Sequence, residues 1–139
     1  MSTNNTFQHE TTVAEFLTSA NIPGLTVKTT ADVNDAKFKV ISKPTAIVAL
    51  GDENTSTQNN WRAVIAETVI LVYLVLRGAI PERSDADAFF REEIFQTLHG
   101  VLLPGMQSEL EWRSTAADYQ DNARTYLLTF VAKTIKRKR

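Results

Sequence analysis

Residues 61–77, WRAVIAETVILVYLVLR, decide how the rest of the chain is read. From Ala63 to Leu76 only Glu67 and Thr68 interrupt an apolar run, and Val64, Ile65, Val69, Ile70, Val72 and Val75 are β-branched. Such side chains are stiff at χ1 and suit a pleated surface better than a helix. A membrane-spanning helix needs about 20 apolar residues; this run is shorter and carries a carboxylate. The stretch therefore reads as a long central strand, apolar on both faces over residues 69–76. Helices are expected to cover one face, and a neighbouring subunit is the natural cover for the other in so small a chain.

Working outward, residues 84–100 hold the most regular helical pattern. Ser84 offers an N-cap, and Asp85 and Asp87 oppose the dipole in the first turn. Ala86, Phe90, Ile94 and Leu98 recur at i+4 on an inward face, with Phe89 and Thr97 beside them. Arg91, Glu92 and Gln96 mark a solvated face, to which Asp85, Asp87, Glu92 and Glu93 are also assigned outside the cap. His99 sits in the last turn, where a cation suits the dipole, and Gly100 supplies a left-handed cap. Toward the C-terminus, residues 108–114 alternate as a half-buried strand, residues 117–122 read as a turn, and ARTYLLTFVAKTI (123–135) reads as a last long strand.

Before the central stretch, residues 1–6 are small and polar and are expected to be loose. Thr12 and Glu15 have capping-box spacing, and Val13, Phe16, Leu17 and Ala20 form the stripe of a short helix. Asn21 ends it in a left-handed turn before Pro23-Gly24. Strands follow at 25–30, weakly at 38–41, and at 45–50 after Pro44. Residues 51–60, GDENTSTQNN, contain no apolar side chain and read as a long hairpin loop or the tip of a β-arm, well beyond the usual two to five residues. The order is helix, four strands, helix, two strands. It predicts an α+β fold, an antiparallel or mixed sheet with two main helices packed on one face.

At 139 residues the chain is one domain, 1–139, by length. Its 43% hydrophobic and 22% charged content is that of an ordinary globular protein. Net charge is −1, yet Lys133, Lys136, Arg137, Lys138 and Arg139 place five positive charges in the last seven residues and leave −6 on the others. The end from 136 to 139 reads as a basic tail that can meet an acidic partner. No aromatic follows Phe130, so this end offers no base stacking, and a contact with nucleic acid would be a sequence-blind one to phosphates. There is no cysteine, and the N-terminus lacks the pattern of a secretory signal, so folding in a cytoplasm is the expectation.

No catalytic constellation emerges. Phosphate-binding glycine motifs are absent, His9 and His99 have no partner at i+3 or i+4 for a metal, and Asp52 with Glu53 lacks a third carboxylate for a cation shell. Catalytic, cofactor and metal residues are therefore all expected to be none, and the chain is read as no enzyme.

In its order of features the chain resembles the tail terminator (tail completion) proteins of long-tailed bacteriophages. The likeness rests on an initial helix, the Pro-led strand KPTAIVAL, the long polar loop, the long strand WRAVIAETVILVYLVLR, a helix closing in QTLHG, and the final strands LEWRST and ARTYLLTFVAKT. It is most similar to the branch in Mu-like phages and prophages, where Leu-His-Gly with a nearby proline commonly follows the second helix; here these are Leu98-His99-Gly100 and Pro104. Val101 stands where an aromatic is common. The resemblance covers about residues 12–133 and implies a structural protein of the virion tail or neck, assembled in the host cytoplasm. It implies a hexameric ring that caps the tail tube, stops its growth and joins the head connector. Its implied partners are further copies of itself, the tail tube protein and the head–tail connector protein, with a sheath protein as a further candidate. No membrane is involved, and DNA passes through the lumen without specific binding. Asp52, Glu53, Asn54, Thr55, Gln58 and Asn59 are the candidate subunit or tube contacts. Lys133, Lys136, Arg137, Lys138 and Arg139 are the candidate contacts to an acidic partner. The competing expectations are a stopper-type connector of the phage neck and a small non-phage ligand-binding α+β protein.

Overall fold

The computed structural model describes residues 7–30, 43–58, 63–77, 83–120 and 123–137. In chain order these form α1 (Phe7–Ser19), β1 (Thr26–Thr29), β2 (Thr45–Gln58), β3 (Ala63–Arg77), α2 (Arg83–Leu98), β4 (Glu111–Gln120) and β5 (Ala123–Arg137). The expected strand at 38–41, the loose residues 1–6, Trp61 and Arg62 lie outside the described residues. The five strands make one mixed sheet in the order β1-β2-β3-β5-β4. β1 runs parallel to β2, and every other pairing is antiparallel.

β3 is the middle strand, as its two-sided apolar pattern demands. Its even-numbered residues Ile70, Val72, Leu74 and Leu76 are buried in the core with Ala46 and Val48 of β2 and Tyr126, Leu128 and Phe130 of β5. Val13 and Leu17 of α1 and Phe90, Ile94 and Leu98 of α2 close the same core, so both helices cover one face. Burying a side chain of this size stabilises by about 1.5–3 kcal/mol, and this layer holds most of the molecule's apolar burial. The odd-numbered residues of β3 point to the other face. There Ile47, Val75 and Val131 are buried but lie outside the core cluster, and Val69, Leu71 and Tyr73 are half-buried.

The helices differ from their sequence patterns in instructive ways. α1 begins at Phe7, so Thr12 lies within the helix and caps nothing, and Ala20 is exposed beyond its end. The buried Glu10 explains the extension: its carboxylate accepts the Thr30 backbone N–H at 3.1 Å and the Thr30 hydroxyl at 2.9 Å, fastening the first turns to the end of β1. Asn21 does terminate the helix with a positive φ of 53°, and Gly100 follows α2 with φ 82°. In α2 the inward stripe starts at Phe90. Ala86 is exposed, Phe89 is 42% exposed, and Asp87, expected on a solvated face, is buried.

Two loop expectations are corrected by strand pairing. β2 does not stop at Leu50 but continues to Gln58, its polar residues laddered against β3 as far as Gln58↔Val64. Residues 51–58 are thus the strand of a β-arm, and the backbone bonds to an apolar partner strand override the composition. Residues 117–120, expected in a turn, pair with β5 down to Gln120↔Ala123.

Candidate assembly surface

The arm is where residues from distant parts of the sequence meet. β2 passes into it through irregularities between Leu50 and Glu53 and between Thr55 and Thr57, which bend and twist a strand pair. Gly51 sits at the first of these, and a Cβ there would lie 3.0 Å from Val69 Cγ1, so a larger residue would need that side chain to give by a few tenths of an ångström. Asp52 and Asn54 are exposed. Glu53 pairs across β3 with β5: its Oε1 accepts from Lys136 Nζ at 2.6 Å. The two candidate sets, acidic-polar arm and basic end, are therefore joined at one point. Such a pair, with the lysine 56% exposed, contributes no more than about 1 kcal/mol.

The other candidates divide. Thr55, Gln58 and Arg137 are strand residues, paired with Ala66, Val64 and Ala63. Asn59, Lys138 and Arg139 lie outside the described residues. The expected tail from 136 is corrected, since β5 runs through Arg137 and fixes Lys136 and Arg137 in the ladder. Lys133 is exposed on the opposite face from Lys136, so alternation splits the basic cluster between two faces. The Lys133 N–H donates to Ser108 Oγ at 2.8 Å, and its carbonyl accepts from the Gln107 N–H at 2.7 Å. It borders an open groove of about 510 Å³ whose charged lining is Glu67, Glu109, Glu111, Arg113 and Lys133. Arg113 bridges Glu111 at 3.1 Å and Glu67 at 4.0 Å there.

His9 of α1 lies under the arm. Its Cε1 is 3.5 Å from where a Cβ on Gly105 would sit, and its Nδ1 is buried with no hydrogen-bond partner among the described residues. Burial pushes its pKa below the ordinary histidine value; Glu53 opposes that shift and Lys136 adds to it. His99, expected in the last turn of α2, lies one residue past the helix end at Leu98. Its Nδ1 accepts the Trp112 backbone N–H at 3.1 Å while its ring stacks on Phe95 at 5.0 Å.

The sequence reading missed a buried polar cluster under α2. Arg124 donates twice to Asp87, Nε to Oδ2 at 2.8 Å and Nη2 to Oδ1 at 2.9 Å, and the Tyr126 hydroxyl donates to Oδ2 at 2.5 Å. The hydrogen bond to Asp87 raises the Arg124 pKa, and burial followed by the bond to Asp87 raises that of Tyr126. The signal was available: Arg124 shares the inward phase of Tyr126, Leu128 and Phe130. Its chemistry is structural, a bidentate fork fixing the start of α2 on β5. Among the described residues no group of three or more His, Cys, Asp or Glu could hold a metal, and no helix is long and apolar enough to cross a membrane.

No protein-family model matches the chain, and no curated protein sequence matches it. Among solved structures, one chain of the virion of a native gene transfer agent particle is similar at 16% identity and a TM-score of 0.48, over 66% of this chain and 69% of that one. A likeness of that size assigns neither family nor role.

Proposed function

We propose that this chain is a non-enzymatic structural protein of a phage virion, a tail terminator whose copies form a ring that caps the tail tube, stops its elongation and contributes to head–tail joining. The observation that carries this reading is the second face of the sheet. Val69, Leu71 and Tyr73 of β3 and Leu127 of β5 form a half-buried apolar patch outside the core cluster, with Ile65 and Ile135 set apart from it by Glu67 and Lys133. Contiguous apolar surface of this kind marks an interaction site in a small protein. The polar half of β2 supports the same reading, because it runs along β3 as far as Gln58 and leaves Asp52 and Asn54 exposed. The order of sequence features shared with tail terminators supplies the specific role.

Electron microscopy and light scattering of the purified protein test the first half. Closed rings of constant subunit number are expected, whereas a monomer at every concentration would remove the ring. Addition of the protein to polymerising tail-tube subunits tests the second half, with shorter tubes of capped ends expected. Tubes of unaltered length would leave a ring-forming connector that does not terminate growth.

A further inference from the structure

The two outer edges of the sheet match each other. At one edge, the start of β4 is covered from outside. The Leu110 N–H donates to the Val101 carbonyl at 2.9 Å, the Gly100 N–H donates to the Leu110 carbonyl at 2.7 Å, and His99 takes the Trp112 N–H. From Thr115 onward β4 has β5 on one side and, among the described residues, no strand on the other. The opposite edge is β1, which among the described residues is bordered by β2 and by no other strand.

Pairing registers place these edges at the same height. Val27, Ala46, Leu74, Tyr126 and Ala117 lie in one line across the sheet, and Lys28, Ile47, Tyr73, Leu127 and Ala116 lie in the next. One parallel and three antiparallel steps separate the edges, so β4 runs opposite to β1. A second copy set alongside in the same orientation thus brings its β1 antiparallel to β4, level with it and with the same face inward. Ala117 then opposes Val27 on the helix-covered face, both small and apolar. On the other face Ala116 opposes Lys28, with the exposed Asp118 diagonal to that ammonium. Diagonal neighbours are within reach of a long side chain. Residues 115–120 carry neither proline nor lysine, the usual guards of an exposed edge.

We infer that copies of this chain join head to tail by pairing residues 115–118 of β4 with Thr26–Thr29 of the next copy. The occupant is a second copy, because this chain's own far edge supplies the matching direction, height, face and charge. A head-to-tail contact is heterologous and generates a ring when its rotation closes. The inference rests on the self-assembling reading above and adds the seam.

The absence of cysteine permits a direct test. Val27→Cys and Ala117→Cys are made as separate proteins and mixed under a mild oxidant. Opposed residues of adjacent antiparallel strands lie within disulfide range, so a covalent dimer is expected from the mixture and from neither variant alone. As an independent readout, Lys28→Asp and Asp118→Lys should each weaken association roughly two- to five-fold per seam, and the double variant should restore it. Wild-type oligomers with no cross-link in the mixture and no charge-swap rescue would overturn this seam while leaving ring formation standing. A wild-type protein that never self-associates would overturn both.

Discussion

At the scale of single residues, the buried Asp87–Arg124 fork makes the sharpest claim. Two ions out of water are tolerated because each of the carboxylate's oxygens has a donor and Tyr126 adds a third bond. Asp87→Ala takes the carboxylate and its two bonds from a guanidinium that stays buried, and urea unfolding should show a loss of about 3–5 kcal/mol. Replacing both partners, Asp87→Leu with Arg124→Met, should cost far less, since the desolvation penalty goes with the charges. His9 yields a pH prediction. Its folded pKa lies below the unfolded value of 6.5, so the folded state binds the proton less well. The stability this contributes is present above pH 6.5 and is lost as pH falls below it toward the folded pKa. Melting temperature should therefore drop between pH 7 and 5.5 in the wild type, and drop less in His9→Phe. Equal slopes would mean that His9 protonates without strain. Residues at chain reversals were legible in the sequence, as Asn21 and Gly100 show, because a positive φ has few takers. Asp87 was not, since an aspartate near the start of a helix satisfies the dipole rule equally well whether it faces solvent or β5.

Among the elements, those with a strong apolar period were readable and those held by their neighbours were not. β3, β5 and α2 came within a few residues of their observed bounds because each carries its own pattern. Ile94 illustrates this: its i+4 spacing from Phe90 and Leu98 puts it in the core, where it is fully buried. Ile94→Ala should cost about 2–5 kcal/mol in denaturant unfolding; a loss under about 0.5 kcal/mol would be that of a surface position. The polar half of β2 and the second half of β4 had no such period. Both are strands because β3 and β5 offer long ladders beside them, a fact about the partner strand that the local sequence does not carry. The same holds for β1, whose four residues are ordered through parallel pairing with β2. For the arm, this means that removing residues 54–59 would strip the pairing partners of Val64 through Glu67, not trim an idle loop.

In the molecule as a whole, charge and apolar surface are segregated, and that segregation bears on assembly. The last seven residues carry five positive charges against −6 on the remainder. Because β5 holds Lys136 and Arg137 in register with Val64 and Ala63, the basic end leaves from beside the arm and not from a free linker. If the proposed ring is six-fold, five charges per copy sum to about thirty, and such a field speeds encounter with an acidic surface. The pair with Glu53 offsets part of Lys136's charge, so Arg137, Lys138 and Arg139 are expected to dominate the field. Exchange of Lys136, Arg137, Lys138 and Arg139 for Ser removes the exposed Lys136–Glu53 pair, the salt bridge that the described residues show there, which contributes no more than about 1 kcal/mol. The melting temperature should therefore move by a few degrees at most. If an acidic tube or connector surface is the target, joining by the wild type should slow steeply as salt shortens the Debye length from about 30 Å at 0.01 M to 8 Å at 0.15 M. The four-fold Ser variant should be slow at both salt concentrations and nearly insensitive to the change. A variant that completes tails at the wild-type rate in low salt would reduce the basic end to a solvated fringe of β5, and the arm would then have to recognise its partner through backbone and neutral side chains alone.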